Sequence, residues 1–132
     1  MTRYKNENAF KHSLKKHLEK QGCRVSIIET GLTCVGVPDL FVETLKYDYW
    51  IELKRVHSLF QRNSSFSYRI PWRPGQQAWM VRRYRITKRP AFTFVAFDNC
   101  VISILMDRVY KDNVIRGLDV LTTWDRVSLI QL

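Results

Sequence analysis

The sequence predicts an α/β fold, a mixed β-sheet flanked by helices in the order α-β-β-β-α-β-β. Three observations carry that prediction. An amphipathic helical pattern opens the chain. Short alternating apolar runs follow it, with turn residues between them. A second helix start separates the third run from the fourth.

Phe10, Leu14 and Leu18 recur at helical spacing between residues 5 and 21, and Lys11, Lys15, Lys16 and Lys20 fill the other faces. Gly22 ends this helix as a C′ residue. A strand is predicted from Arg24 to Glu29, then a turn-rich loop to Pro38 that contains Gly31 and Gly36. Asp39–Thr44 and Tyr47–Arg55 read as a hairpin, with Leu40, Val42 and Leu45 as apolar positions. His57 to Arg73 has no clear period and is predicted to be a long ordered loop. Pro74 marks a helix start and Gln76 to Tyr84 continues it. Ala91–Phe97 and Val101–Met106 complete the strands, with Asp98-Asn99 as their turn. A short helix is expected near Asp107 to Val114.

At 132 residues the chain fits one domain, 1–132, with one core, and its 45% hydrophobic content is that of a globular protein. No run of about 18 apolar residues suits a transmembrane helix, and the first residues lack the apolar segment of a secretory signal. Cys23, Cys34 and Cys100 match neither a disulfide framework nor a zinc spacing. A reduced, cytoplasmic protein is the expectation.

Charge separates this chain from an ordinary soluble domain. The formal net charge is +10, which favours a polyanionic partner. From Leu53 to Phe97 there is no Asp or Glu, yet the stretch holds ten cations: Lys54, Arg55, Arg62, Arg69, Arg73, Arg82, Arg83, Arg85, Lys88 and Arg89. The twelve cations elsewhere are balanced by twelve acids. A solvated face would mix signs, so the middle third reads as the surface for that partner, which could be DNA, RNA or an anionic membrane. Aromatics interleave with these arginines at Phe60, Phe66, Tyr68 and Trp72. They suit base stacking on DNA, a dimer contact, or packing within the loop.

The hairpin carries the chemistry. Alternation puts Trp50, Glu52 and Lys54 on one face of the third strand, toward Asp39 at the start of the second. Two carboxylates beside an ammonium in a half-buried sheet are costly without a purpose. A divalent cation supplies one, because hard oxygen ligands suit Mg²⁺ or Mn²⁺ and such a cation activates water for attack on phosphate. Glu7 falls on the apolar stripe of the first helix and is a candidate third acid. His12, His17 and His57 show no metal-ligand spacing.

Gly36-Val37-Pro38-Asp39-Leu40, Ile51-Glu52-Leu53-Lys54 and Pro74-Gly75-Gln76-Gln77-Ala78-Trp79, in that order, resemble the PD-(D/E)XK nuclease superfamily. The closest likeness is to its VRR-NUC branch, and it covers roughly Glu7 to Phe97. The resemblance implies a restriction-endonuclease-like core. It implies that Asp39, Glu52 and the Leu53 carbonyl are metal ligands, Lys54 the catalytic lysine, Glu7 the first-helix acid and Gln76 the glutamine near the site. The segment between Lys54 and Gln76 is longer than the family's usual link. Stand-alone members of phage type resemble dimeric, structure-selective nucleases acting on Holliday junctions, which implies DNA as partner, homodimerisation and cytoplasmic action. A non-catalytic binder on the same fold and an RNA-directed nuclease are the alternative readings.

Overall fold

The computed structural model describes residues 7–28, 36–56, 67–97 and 100–125; the side chains of residues 7, 97 and 122–125 lie outside this description. Helix α1 (Glu7–Lys20) precedes strands β1 (Arg24–Ile27), β2 (Leu40–Glu43), β3 (Asp48–Arg55) and β4 (Ser67–Arg69). Helix α2 (Gln76–Thr87) follows, then β5 (Ala91–Phe97), β6 (Cys100–Leu105), β7 (Val114–Arg116) and β8 (Val120–Asp125).

The helix α1 stops where its chemistry changes. Gly22 takes φ +91°, donates its N–H to Glu19 O, and lets the Cys23 N–H return to Leu18 O at 3.1 Å. This is the paired-bond glycine stop, and it turns the chain back along the sheet.

Six strands form one sheet in the order β1-β2-β3-β5-β6-β8. β3 and β5 run parallel, and the other neighbours are antiparallel. α2 lies in the connection between the parallel pair, as a parallel pair requires. Each face of the sheet has its own core. Tyr49, Ile51 and Leu53 of β3 pack with Phe10, Leu14 and Leu18 of α1. Val95, Ile102 and Ile104 pack with Met80 of α2 and with Ile70, Trp72, Tyr110 and Ile115. Fully burying Phe10 or Leu14 contributes about 1.5–3 kcal/mol each.

The structure corrects several local expectations. The segment read as a loop up to Arg73 contains β4, which pairs with β7. Three residues are too few to display alternation, and the partner is distant in sequence. The helix expected near 107–114 is reduced to one tight turn, Lys111–Asn113. Asp112 and Asn113 take left-handed φ values of 57° and 60°, which a continuing right-handed helix cannot hold. Gln77 of α2 anchors the turn, accepting the Tyr110 N–H at 2.7 Å and donating to Tyr110 O at 3.2 Å, the oxygen that also accepts the Asn113 N–H. Strand β8 adds a further edge to the sheet, and α2 runs three residues past Tyr84. Leu45 is fully exposed in the β2–β3 turn, which Thr44 closes by accepting the N–H groups of Lys46 and Tyr47. The predicted turn at Asp98-Asn99, and also Cys34, His57, Phe60, Arg62 and Phe66, lie outside the described residues.

Gly36 brings the loop before β2 against the start of α2. A Cβ there would sit 2.7 Å from Gly75 O, and φ is +89°. Gly22 has nearly the same φ with nothing within 4 Å of its would-be Cβ. Gly22→Ala is therefore expected to cost about 1–2 kcal/mol from left-handed strain alone. Gly36→Ala should cost at least about 1 kcal/mol more, because backbone must also move. Urea unfolding of the two variants tests this, and equal losses would refute the close approach.

Candidate active site

Asp39 lies one residue before β2. Its carbonyl still accepts the Ile28 N–H at 2.8 Å, so the strand's pairing continues through it. Extending the Leu40↔Ile51 register by one step sets Asp39 opposite Glu52. Residues so placed have Cβ atoms about 4.5–5.5 Å apart and share a face.

The next main-chain donor along β3 is the Leu53 N–H. Instead of a backbone partner it finds Asp39 Oδ2 at 2.8 Å. Alternate residues of β3 direct their main-chain groups to opposite neighbours. The Val56 N–H, just past β3, goes to Ala96 O on the β5 side, so Leu53 directs both N–H and C=O toward β2. Its carbonyl thus faces the Asp39 side, while its side chain belongs to the α1 core.

Glu52 and Lys54 point to the opposite face from Leu53 and are 3% and 4% exposed. Lys54 Nζ stands 3.3 Å from Glu52 Oε2. The same oxygen accepts a hydrogen bond from Gln76 Nε2 at 2.9 Å. Gln76 is itself held, because its Oε1 accepts the Arg73 N–H at 2.8 Å across the turn that starts α2. A buried ion pair of this kind is a poor stabilising device, since desolvation offsets attraction. Its cost points to chemistry.

Among the described residues no three His, Cys, Asp or Glu side chains converge as a metal site. Asp39 and Glu52 supply two carboxylates, and the Leu53 carbonyl supplies a third oxygen on the same side. Hard oxygen donors of this number fit Mg²⁺ or Mn²⁺, which keep several waters. Glu7 opens α1, and its side chain lies outside the described residues.

Sequence reasoning missed Lys11. Its Nζ lies 3.9 Å from Asp39 Oδ1, the carboxylate oxygen that the Leu53 N–H does not take. The available signal was spacing, because Lys11 follows Glu7 by one helical turn.

The basic residues divide. Arg69, Arg73, Arg82, Arg85, Lys88 and Arg89 are exposed. Arg83 is half-buried over the Trp50 ring, 5.8 Å from its centroid, and pairs with Asp48 at 3.9 Å. Arg89 also pairs with Asp48. Arg55 is half-buried at the end of β3. Trp72, predicted to meet nucleic acid, is 5% exposed; its indole N–H donates to Thr93 Oγ1 and its ring stacks on Tyr110. That ring is core.

A solved structure shares this architecture. The chain is similar to Hjc of Archaeoglobus fulgidus, a Holliday junction resolvase from an archaeal hyperthermophile, with a TM-score of 0.62 and 16% identity over 84% of this chain and 88% of that one. The fold is therefore restriction-endonuclease-like, a mixed sheet flanked by two helices. No protein-family model matches the sequence, and no curated protein matches it. No helix among the described residues is long and apolar enough to cross a membrane.

Lys54→Met should lower unfolding free energy by about 3–5 kcal/mol, because it strands the buried Glu52 charge. Adding Glu52→Gln should recover most of that loss. Denaturant titration of both variants measures it, and strictly additive losses would show that the two charges do not depend on each other.

Proposed function

We propose that this protein is a Mg²⁺- or Mn²⁺-dependent, structure-selective DNA endonuclease that hydrolyses phosphodiesters in branched DNA such as Holliday junctions. The observation that carries the proposal is the convergence of Asp39, the Leu53 main chain, Glu52, Lys54 and Gln76 at one end of β3. The sheet around them has the architecture of a known junction resolvase. The sequence blocks that hold these residues, and a nuclease domain spanning 1–132, agree with a VRR-NUC-like member of the PD-(D/E)XK superfamily.

In this reading Asp39, Glu52 and the Leu53 carbonyl hold the cation, which supplies activation of water and stabilisation of charge on the phosphate. The protein's own groups set the geometry. The Leu53 N–H fixes the Asp39 carboxylate through Oδ2, and Oδ1 lies near Lys11. Gln76 fixes Glu52 by a bond that Arg73 anchors from behind. Lys54 keeps a positive charge beside Glu52 in a site with little water, where it acts strongly on the extra negative charge that develops as the water oxygen bonds to phosphorus and the leaving sugar oxygen departs. Glu7, at the start of α1, is the third acid of this reading.

Exposed Arg69, Arg73, Arg82, Arg85 and Lys88, with Arg55 and Arg62, supply phosphate contacts that position the duplex arms, and Arg83 and Arg89, paired with Asp48, contribute less. A four-way junction presents two equivalent strands, so symmetric cleavage needs two sites and a homodimer. Action in the cytoplasm agrees with the unpaired cysteines Cys23 and Cys100.

The test is cleavage of plasmid, flap and four-way-junction DNA with Mg²⁺, Mn²⁺ or EDTA. Chelation, Asp39→Ala and Glu52→Ala should each reduce cutting at least about a thousandfold while junction binding persists. Cutting by either variant at the wild-type rate would refute the site. In a separate measurement, Arg82→Ala and Arg85→Ala should each weaken junction binding and flatten its salt dependence by about one unit of slope. Arg83→Ala should change that slope less, since Asp48 already engages Arg83. A larger effect at Arg83 would mean that DNA displaces Asp48.

A further inference from the structure

Lys11 lies outside the three motif blocks, yet it brings a second ammonium to the site. Lys54 is buried and paired with Glu52. Lys11 stands at the rim, its side chain 22% exposed beside an Asp39 side chain that is 28% exposed. At 3.9 Å from Oδ1 the contact is coulombic and longer than a hydrogen bond. Lys15, one turn on, is by contrast committed to Glu19 at 2.8 Å.

Among the described side chains, two acids, Asp39 and Glu52, stand beside two ammonium groups, Lys11 and Lys54. Glu7 adds a third acid in the reading above. Removing Lys11 therefore leaves more negative charge for a divalent cation to meet and less positive charge for a phosphate.

We propose that Lys11 is a positioning residue with two states. It offsets the Asp39 charge when no divalent cation is present, and it turns its ammonium to a non-bridging oxygen of the DNA phosphate when Asp39 and Glu52 would hold a cation. The flexible four-carbon stem permits the change without moving α1. The inference rests on the nuclease reading above, and it adds a consequence that reading lacks. Lys11 opposes cation binding in the absence of DNA and supports phosphate binding in its presence, so cation and DNA favour each other's binding.

The experiment compares the wild type with Lys11→Gln and Lys11→Arg. Mn²⁺ affinity is measured by calorimetry without DNA, and KM and kcat are measured on a four-way junction. Lys11→Gln should bind Mn²⁺ about five-fold more tightly, the scale of one exposed charge contact at this separation, while KM for the junction rises several-fold and kcat changes less. Lys11→Arg keeps the charge and should restore the wild-type Mn²⁺ affinity. A merely structural lysine would weaken both cation and DNA binding, or neither, and either result overturns the inference. If the wild type binds Mn²⁺ and Lys11→Gln binds it equally, only this inference falls. If the wild type binds no Mn²⁺ at all, the nuclease reading falls with it.

Discussion

Strand β3 sets the terms for the rest of the molecule, because both of its faces are covered. Its odd-numbered side chains, Tyr49, Ile51 and Leu53, complete the core under α1. Its even-numbered side chains face α2 and the β4–β7 side, and there the strand carries Glu52 and Lys54 instead of apolar residues. A central strand in a mixed sheet ordinarily reads as a hydrophobic run. Placing two charges in that run is costly unless each meets its partner. Glu52 meets Lys54 and Gln76, and the latter bond fixes where α2 must begin. The helix start, the turn at Arg73 and the close approach of Gly36 to Gly75 are thereby tied to one glutamate.

Asp39 is tied by a different logic. Where β2 and β3 cease to exchange main-chain bonds, the Leu53 N–H needs an acceptor, since a buried orphan donor is costly. The Asp39 carboxylate provides it. One oxygen is thus committed to the fold and the other lies near Lys11, so a single bond serves both strand closure and the orientation of a candidate ligand. The residues of the second core, Trp72 and Tyr110 among them, buttress this arrangement from the α2 side by a chain of bonds. Trp72 holds Thr93 through its indole N–H, and Asn113 joins Trp72 O to Gln77 of α2.

The main elements were legible because each carries a local signal. Phe10, Leu14 and Leu18 mark α1, the alternation from Tyr49 to Lys54 marks β3, and Gly22 marks a helix end. The order Asp39, Glu52-Leu53-Lys54, Gln76 was legible as a set of residue types on predicted elements. What was not legible depends on distant partners. β4 exists because β7 pairs with it. The expected helix after Met106 stops at one turn, where Asp112 and Asn113 turn left-handed and Gln77 of α2 anchors Tyr110 from a distance. Trp72 reads as a surface aromatic among arginines until Thr93 and Tyr110 are seen to enclose it. Lys11 reads as one more solvated helix lysine until the turn of β2 brings Asp39 beneath it.

The basic middle third gains meaning from where its counter-charges originate. No acid lies between Leu53 and Phe97, so any acid that neutralises this stretch must reach in from outside it. Asp48, at the start of β3, does so for Arg83 and Arg89. Glu52 does so for Lys54, at the opposite end of the same strand. One strand thus supplies acids at two depths. Asp48 ties the outer end of α2 to the sheet and subtracts from the positive surface. Glu52 holds a buried charge in readiness at the site. Arg82 and Arg85 stay exposed on α2, with Arg69, Arg73 and Lys88 on the segments beside it. The positive field on this side of the sheet is therefore what remains after the fold has taken the cations it needs, and Arg73, whose N–H bonds the Gln76 that holds Glu52, brings part of it to the end of β3 that carries Glu52 and Lys54. A polyanion drawn to that field is brought toward the carboxylates, which on their own would repel it.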